Sequence, residues 1–138
     1  KLERDCWKMD AVGCVKPKKG NLQKKHVELC RSRVFKVIED LKQKHILVMG
    51  SHAVSSIIGQ HIKKASVELV RGLAIPLVDH SCWVYPIFHP SYMNQDANLK
   101  NSHLQMVFKK DLKRAVSHID SPPPEVVDYL SSIQVQTI

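Results

Sequence analysis

His45-Ile46-Leu47-Val48-Met49-Gly50-Ser51-His52-Ala53-Val54 is the stretch on which the fold turns. A continuous apolar run of strand length stops at a glycine, and Val54, Ile57 and Ile58 then follow helical spacing. Strand, glycine turn and helix in that order form the basic unit of an open α/β sheet. Ligands of such sheets sit at the carboxyl ends of the strands. A helix beginning at Ser51 offers unpaired backbone N–H groups to an anion such as a DNA phosphate, although the turn taken alone is an ordinary helix start.

Working outward, Val27, Cys30, Val34, Val37, Ile38 and Leu41 predict a helix over 22–44, with Asn21 available as its cap. Before it, Cys6 to Val15 reads as a short strand, with Trp7, Met9 and Ala11 on one face. A basic loop with breakers, Lys16-Pro17-Lys18-Lys19-Gly20-Asn21, separates the two. After the central unit, Ser66 to Val70 reads as a strand and Trp83 to Phe88 as another, the latter from aromatic and β-branched content. It stops at His89-Pro90, and 94–101 reads as polar loop. A helix follows over 104–119, with Leu104, Val107, Phe108, Leu112 and Ala115 inward and Lys109, Lys110, Lys113 and Arg114 outward. Pro122-Pro123-Pro124 must break it. The order β, α, β, α, β, β, α predicts an α/β fold: a three-layer sandwich around a central, mostly parallel sheet, and an incomplete one. The expected division is a principal domain over 1–120, then a Pro-rich linker and the start of a further element over 121–138.

The 138 residues suffice for one domain with a real core, and no apolar run approaches a membrane span. The first residues, Lys1-Leu2-Glu3-Arg4, carry neither a Met nor a signal-peptide pattern, so a piece of a longer, cytoplasmic protein is expected. The net charge of +8 is concentrated: residues 1–48 hold thirteen Lys/Arg against six Asp/Glu. Such a region predicts a polyanionic partner, nucleic acid before others, against the plainer reading of a solvated lysine-rich surface. The four cysteines, Cys6, Cys14, Cys30 and Cys82, form no CxxC pair, which argues against a zinc ribbon. Reduced thiols are expected, and small buried hydrophobes are the default reading of each.

Six features in order carry a resemblance. Asp10-Ala11-Val12-Gly13-Cys14 precedes the basic loop, and Cys30 follows sixteen residues after Cys14. Val48-Met49-Gly50-Ser51-His52-Ala53, Val70-Arg71-Gly72 and the strand running into His89-Pro90-Ser91-Tyr92 come next, with Asp111-Leu112-Lys113 behind them. Together they resemble the iron–sulfur type of the uracil-DNA-glycosylase superfamily, over its C-terminal half. The resemblance implies base flipping, because a duplex hides the reacting bond, and cleavage of the N-glycosidic bond. It implies that His89 lies near uracil O2, where an imidazole N–H would stabilise the departing anion. It implies DNA contacts from Ser51, Arg71, Pro90 and Ser91, with Tyr92 and Met93 as an apolar wedge into the base stack and Lys18 and Lys19 on phosphates. Cys14 and Cys30 match two ligands of a [4Fe–4S] cluster, whose other two would lie upstream, while Cys6 and Cys82 read as core residues.

Three departures bear on activity. Asp10 stands at the base-recognition position, where the family has an asparagine. A carboxylate only accepts hydrogen bonds, opposes uracil O4 and better suits the amino donor of cytosine. That implies altered base choice or lost activity. Gln95 stands where the family often has arginine. No carboxylate matches the family's water-positioning acid, which belongs to the upstream half. The sequence therefore predicts a superfamily DNA-binding domain of DNA repair or phage replication, excising a base if active. One alternative is a non-catalytic domain fused or bound to a DNA polymerase. The other is a small α/β nucleotide- or nucleic-acid-binding protein.

Overall fold

The computed structural model describes residues 6–13 and 23–125. Asn21, Cys14, Lys18, Lys19 and the tail beyond Glu125 lie outside the described residues.

Helix α1 spans Lys24–Leu41. The His26 ring accepts the Gln23 N–H at 2.9 Å and so closes its first turn. Lys42, at φ 50°, ends it in the left-handed conformation. Its buried stripe is Val27, Cys30, Val34, Phe35 and Ile38: Phe35 joins the predicted residues, while Val37 and Leu41 are only partly buried. Strand β1, His45–Met49, leads through Gly50 into α2, Ser51–Ile57. Then come the single turn α3, Val67–Val70, strand β2, Ile75–Leu77, and strand β3, Cys82–Ile87. Two short helices, α4 (Pro90–Met93) and α5 (Asp96–Leu99), precede the long α6, Ser102–Ser117.

The chain is α/β, a partial α/β sandwich on a small mixed sheet. Central β3 pairs in parallel with β1, from His45↔Trp83 to Met49↔Ile87. Its other side pairs antiparallel with β2, from Ile75↔Val84 to Leu77↔Cys82. Pro86 sits in this central strand at no cost to pairing. Its carbonyl takes the Gly72 N–H at 3.0 Å on the β2 side, where β2 has already ended, so the missing N–H had no ladder partner to lose. The core joins Val34, Phe35 and Ile38 of α1, Val48 of β1, Val54 and Ile57 of α2, and Cys82 and Val84 of β3. Arg31 binds α1 to α2 by donating to the carbonyls of Ser55 and Ser56, each at 2.8 Å.

Several expectations are corrected. Residues 6–13 pair with no strand among the described residues; Trp7 is 68% exposed, and Arg33 holds the segment through the Asp10 carbonyl at 3.0 Å. Cys6 is exposed rather than a core residue, whereas Cys82 is fully buried and burial pushes its thiol up to about 11. Residues 66–70 form a capped helical turn, not a strand. The Ser66 hydroxyl accepts the Leu69 N–H, and the buried pair is Val67 and Val70, three apart, with Leu69 exposed. The polar stretch 94–101 contains α5. Among the described residues, no helix is long and apolar enough to cross a membrane.

Candidate functional site

The parallel pairing of β1 and β3 brings two chain reversals side by side at the carboxyl ends of the strands. The Gly50 N–H donates to the Ile87 carbonyl at 3.0 Å, which fixes the first reversal to the end of β3. Gly50 has φ +86°, and a Cβ there would lie 3.0 Å from the His89 Cβ. Only glycine combines that backbone with so close an approach. The turn that ends β1 is therefore packed directly on His89.

His89 is the N-cap of α4, with Pro90 behind it at the first helical position. Its Nδ1 lies 3.0 Å from the Ser91 backbone nitrogen and 2.7 Å from the Ser91 hydroxyl. An amide N–H can only donate, so Nδ1 accepts and the neutral ring carries its proton on Nε2. The ring is thereby oriented as a hydrogen-bond donor on an exposed edge of the protein. Tyr92, 39% exposed, lies against Phe88 with ring centroids 5.3 Å apart. Met93, expected beside it as part of a wedge, is only 3% exposed and faces the interior. One helical turn presents Tyr92 outward and Met93 inward, so of these two residues only Tyr92 offers exposed apolar surface. Ser51, Pro90 and Ser91 are exposed at the same end of the strands.

Arg71 has a different setting. Its Nη1 donates to both carboxylate oxygens of Asp111, at 3.1 and 3.0 Å, and Asp111 is 4% exposed. A buried carboxylate needs such a partner. Beside it Gly72, at φ +76°, leaves no room for a Cβ, which would fall 2.5 Å from the Asp111 Oδ1. Arg114 donates to the Gly72 carbonyl at 2.8 Å. The Arg-Gly pair is thus a clasp between α6 and the end of α3, with its cation engaged by Asp111.

The Asp10 carboxylate is exposed and makes no hydrogen bond or ion pair among the described residues; nothing joins it to His89. Cys30 is buried at 5% on α1. Among the described residues, no group of three or more His, Cys, Asp or Glu could hold a metal ion. Asn98 and Gln105, which sequence reading passed over, bind the backbone of the His89 loop. Their contacts join separate short helices, and no local pattern announces them.

With this geometry in view, a family model described as the uracil DNA glycosylase superfamily matches residues 1–113. The chain belongs to the uracil DNA glycosylase superfamily. The match takes in the whole strand–turn–helix unit, the His89 loop and the Arg71–Asp111 clasp, and it gives the chain a glycosylase-like, DNA-related role. No curated protein matches the sequence.

Proposed function

We propose that this superfamily domain binds DNA with the carboxyl ends of β1 and β3 and that His89 assists release of a flipped base. The observation that carries the reading is the Ser91 N–H on His89 Nδ1, which leaves Nε2–H as the donor. When the N-glycosidic bond breaks, its electron pair moves onto the base. Nε2–H would then donate to the base oxygen where that charge collects, and water would complete the sugar. The exposed Tyr92 ring supplies the apolar surface that fills the vacated stack. Ser51, Pro90 and Ser91 border the same edge, and the basic segment with Lys18 and Lys19 supports phosphate binding.

A second reading, a DNA-holding domain that performs no excision, is favoured by one observation. Asp10 puts a carboxylate where uracil recognition calls for an amide. Pro122 to Pro124 and the apolar residues that follow suit a join to a further domain such as a phage-type DNA polymerase. A [4Fe–4S] cluster would draw on Cys14 and Cys30 and on two further thiolates, since Cys6 and Cys82 match no ligand position of the family.

The test is incubation of the full-length protein with uracil-containing single- and double-stranded DNA. Abasic product supports excision; binding without product supports the second reading, and Asp10→Asn should then restore product. Absence of both binding and product sinks the DNA proposal.

A further inference from the structure

The His89 loop is held by two amide side chains, and they act on the same few backbone atoms. A helix as short as α4, Pro90–Met93, leaves carbonyls at its C-terminus without helical partners. The Tyr92 carbonyl accepts the Asn98 side-chain amide at 2.7 Å. The Met93 carbonyl accepts the Gln105 side-chain amide at 3.1 Å. The same Gln105 nitrogen also donates to the Asn98 carbonyl at 3.0 Å. Gln105 therefore binds the ends of both short helices at once. It does so from the first turns of α6, where Asn101 caps the helix by accepting the Leu104 N–H at 3.0 Å. The anchor belongs to the sixteen-residue helix that is clasped to the rest of the fold through Asp111, whereas the anchored turns have four residues each. Met93 adds an apolar root beneath the loop.

We infer that Gln105, with Asn98, is a positioning residue: it fixes the Tyr92–Met93 backbone so that the exposed Tyr92 ring is presented to DNA in a set orientation. This rests on the proposed DNA-binding role of the loop. Without the latch, α4 and α5 keep their own turns, the buried Met93 and the Phe88–Tyr92 contact, but lose the side-chain bonds that tie them to each other and to α6, and short helices depend on such tertiary partners. Tyr92 would then sample many orientations, and ordering it on binding would oppose association.

The experiment measures affinity for a short duplex carrying one U·G mismatch, using full-length protein and the variants Gln105→Ala, Tyr92→Ala and the double variant. Gln105→Ala is expected to weaken binding about tenfold, the scale of two lost hydrogen bonds. In the Tyr92→Ala background the same change should cost twofold or less, because its effect passes through the ring. Amide hydrogen exchange over residues 92–95 should accelerate in Gln105→Ala while the α1 and β3 amides stay protected. If Gln105→Ala fails to fold, Asn98→Ala carries the same cycle. Equal costs with and without Tyr92, or unchanged loop exchange, overturn the inference. A wild-type protein that does not bind the duplex overturns the DNA reading instead, while the exchange result still decides whether the latch exists.

Discussion

The two ends of the β1–β3 pair use the same kinds of residue in opposite ways. At the carboxyl end, His89 has one ring nitrogen held by Ser91 and the other left as a donor, with Tyr92 exposed beside it. At the amino end, the Tyr85 hydroxyl lies 2.7 Å from His45 Nδ1 and 2.8 Å from His118 Nδ1. The Trp83 ring meets His118 edge-on, and its indole N–H donates to the Pro122 carbonyl at 2.8 Å. There His118 binds the end of α6, and Trp83 the proline run, back onto the sheet. A phenol has one proton, so one imidazole accepts from Tyr85 while the other donates to it. Partners internal to the fold make the amino end a lock; at the carboxyl end His89 Nε2 has no hydrogen-bond partner among the described residues, as the proposed site requires. The lesson is that histidine and aromatic content does not mark function until the hydrogen-bond partners are known.

Four experiments bear on that contrast, from the largest effect to the smallest. His89→Ala should lower base excision by about a hundredfold or more, the scale of a lost oxyanion donor, while costing only about 1 kcal/mol of stability for the lost α4 cap. A large loss of stability would show that the carboxyl end is a lock as well. Gly50→Ala should cost about 2 kcal/mol in urea unfolding and reduce excision too, because it strains a left-handed position and presses on the His89 Cβ. A stability loss with full activity would separate the turn from the site.

Tyr85→Phe should cost about 1–2 kcal/mol, since two ring nitrogens lose one bridging hydroxyl, with DNA binding unaltered. The same cluster sets a pH dependence. Burial is the first cause that lowers the His45 pKa from its ordinary 6.5; His118 and Lys44 add to it, and Asp120 and the Ser121 carbonyl oppose it. The folded state therefore favours the neutral ring. Stability from this group is complete above pH 6.5 and is lost as pH falls through the lower folded value, because the unfolded chain then binds the proton more readily. Melting temperatures from about pH 7.5 down to about pH 5 should fall in the wild type and fall less in His45→Gln. Equal slopes would remove His45 from the lock.

Much of this architecture was legible in the residues. The stripe on α1 and the apolar run into Gly50 predict their elements because period and breaker are local properties. Residues 66–70 are too few to tell one period from the other, and the Ser66 cap decides for the helix. The edge strand β2 escaped notice because Ile75-Pro76-Leu77 is too short to show alternation and exists only by pairing with β3. At the site, the His89-Pro90 motif is legible, but the burial of Met93 is not, because adjacent residues in one helical turn point to different sides of it and the motif does not say which side faces the core.

By itself, then, the sequence determined the α/β class, the glycine turn after β1, the histidine-proline stop after β3 and the superfamily resemblance. All of these depend on residue type and short spacing. The tertiary structure decided which chemistry is left for a partner. It turned Arg71 onto Asp111, Met93 into the core, and His45 and His118 onto Tyr85, and it left His89 and Tyr92 exposed. The physical reason is that a polar group's availability depends on the partners the fold brings within hydrogen-bond reach, and those come from residues far away in the chain.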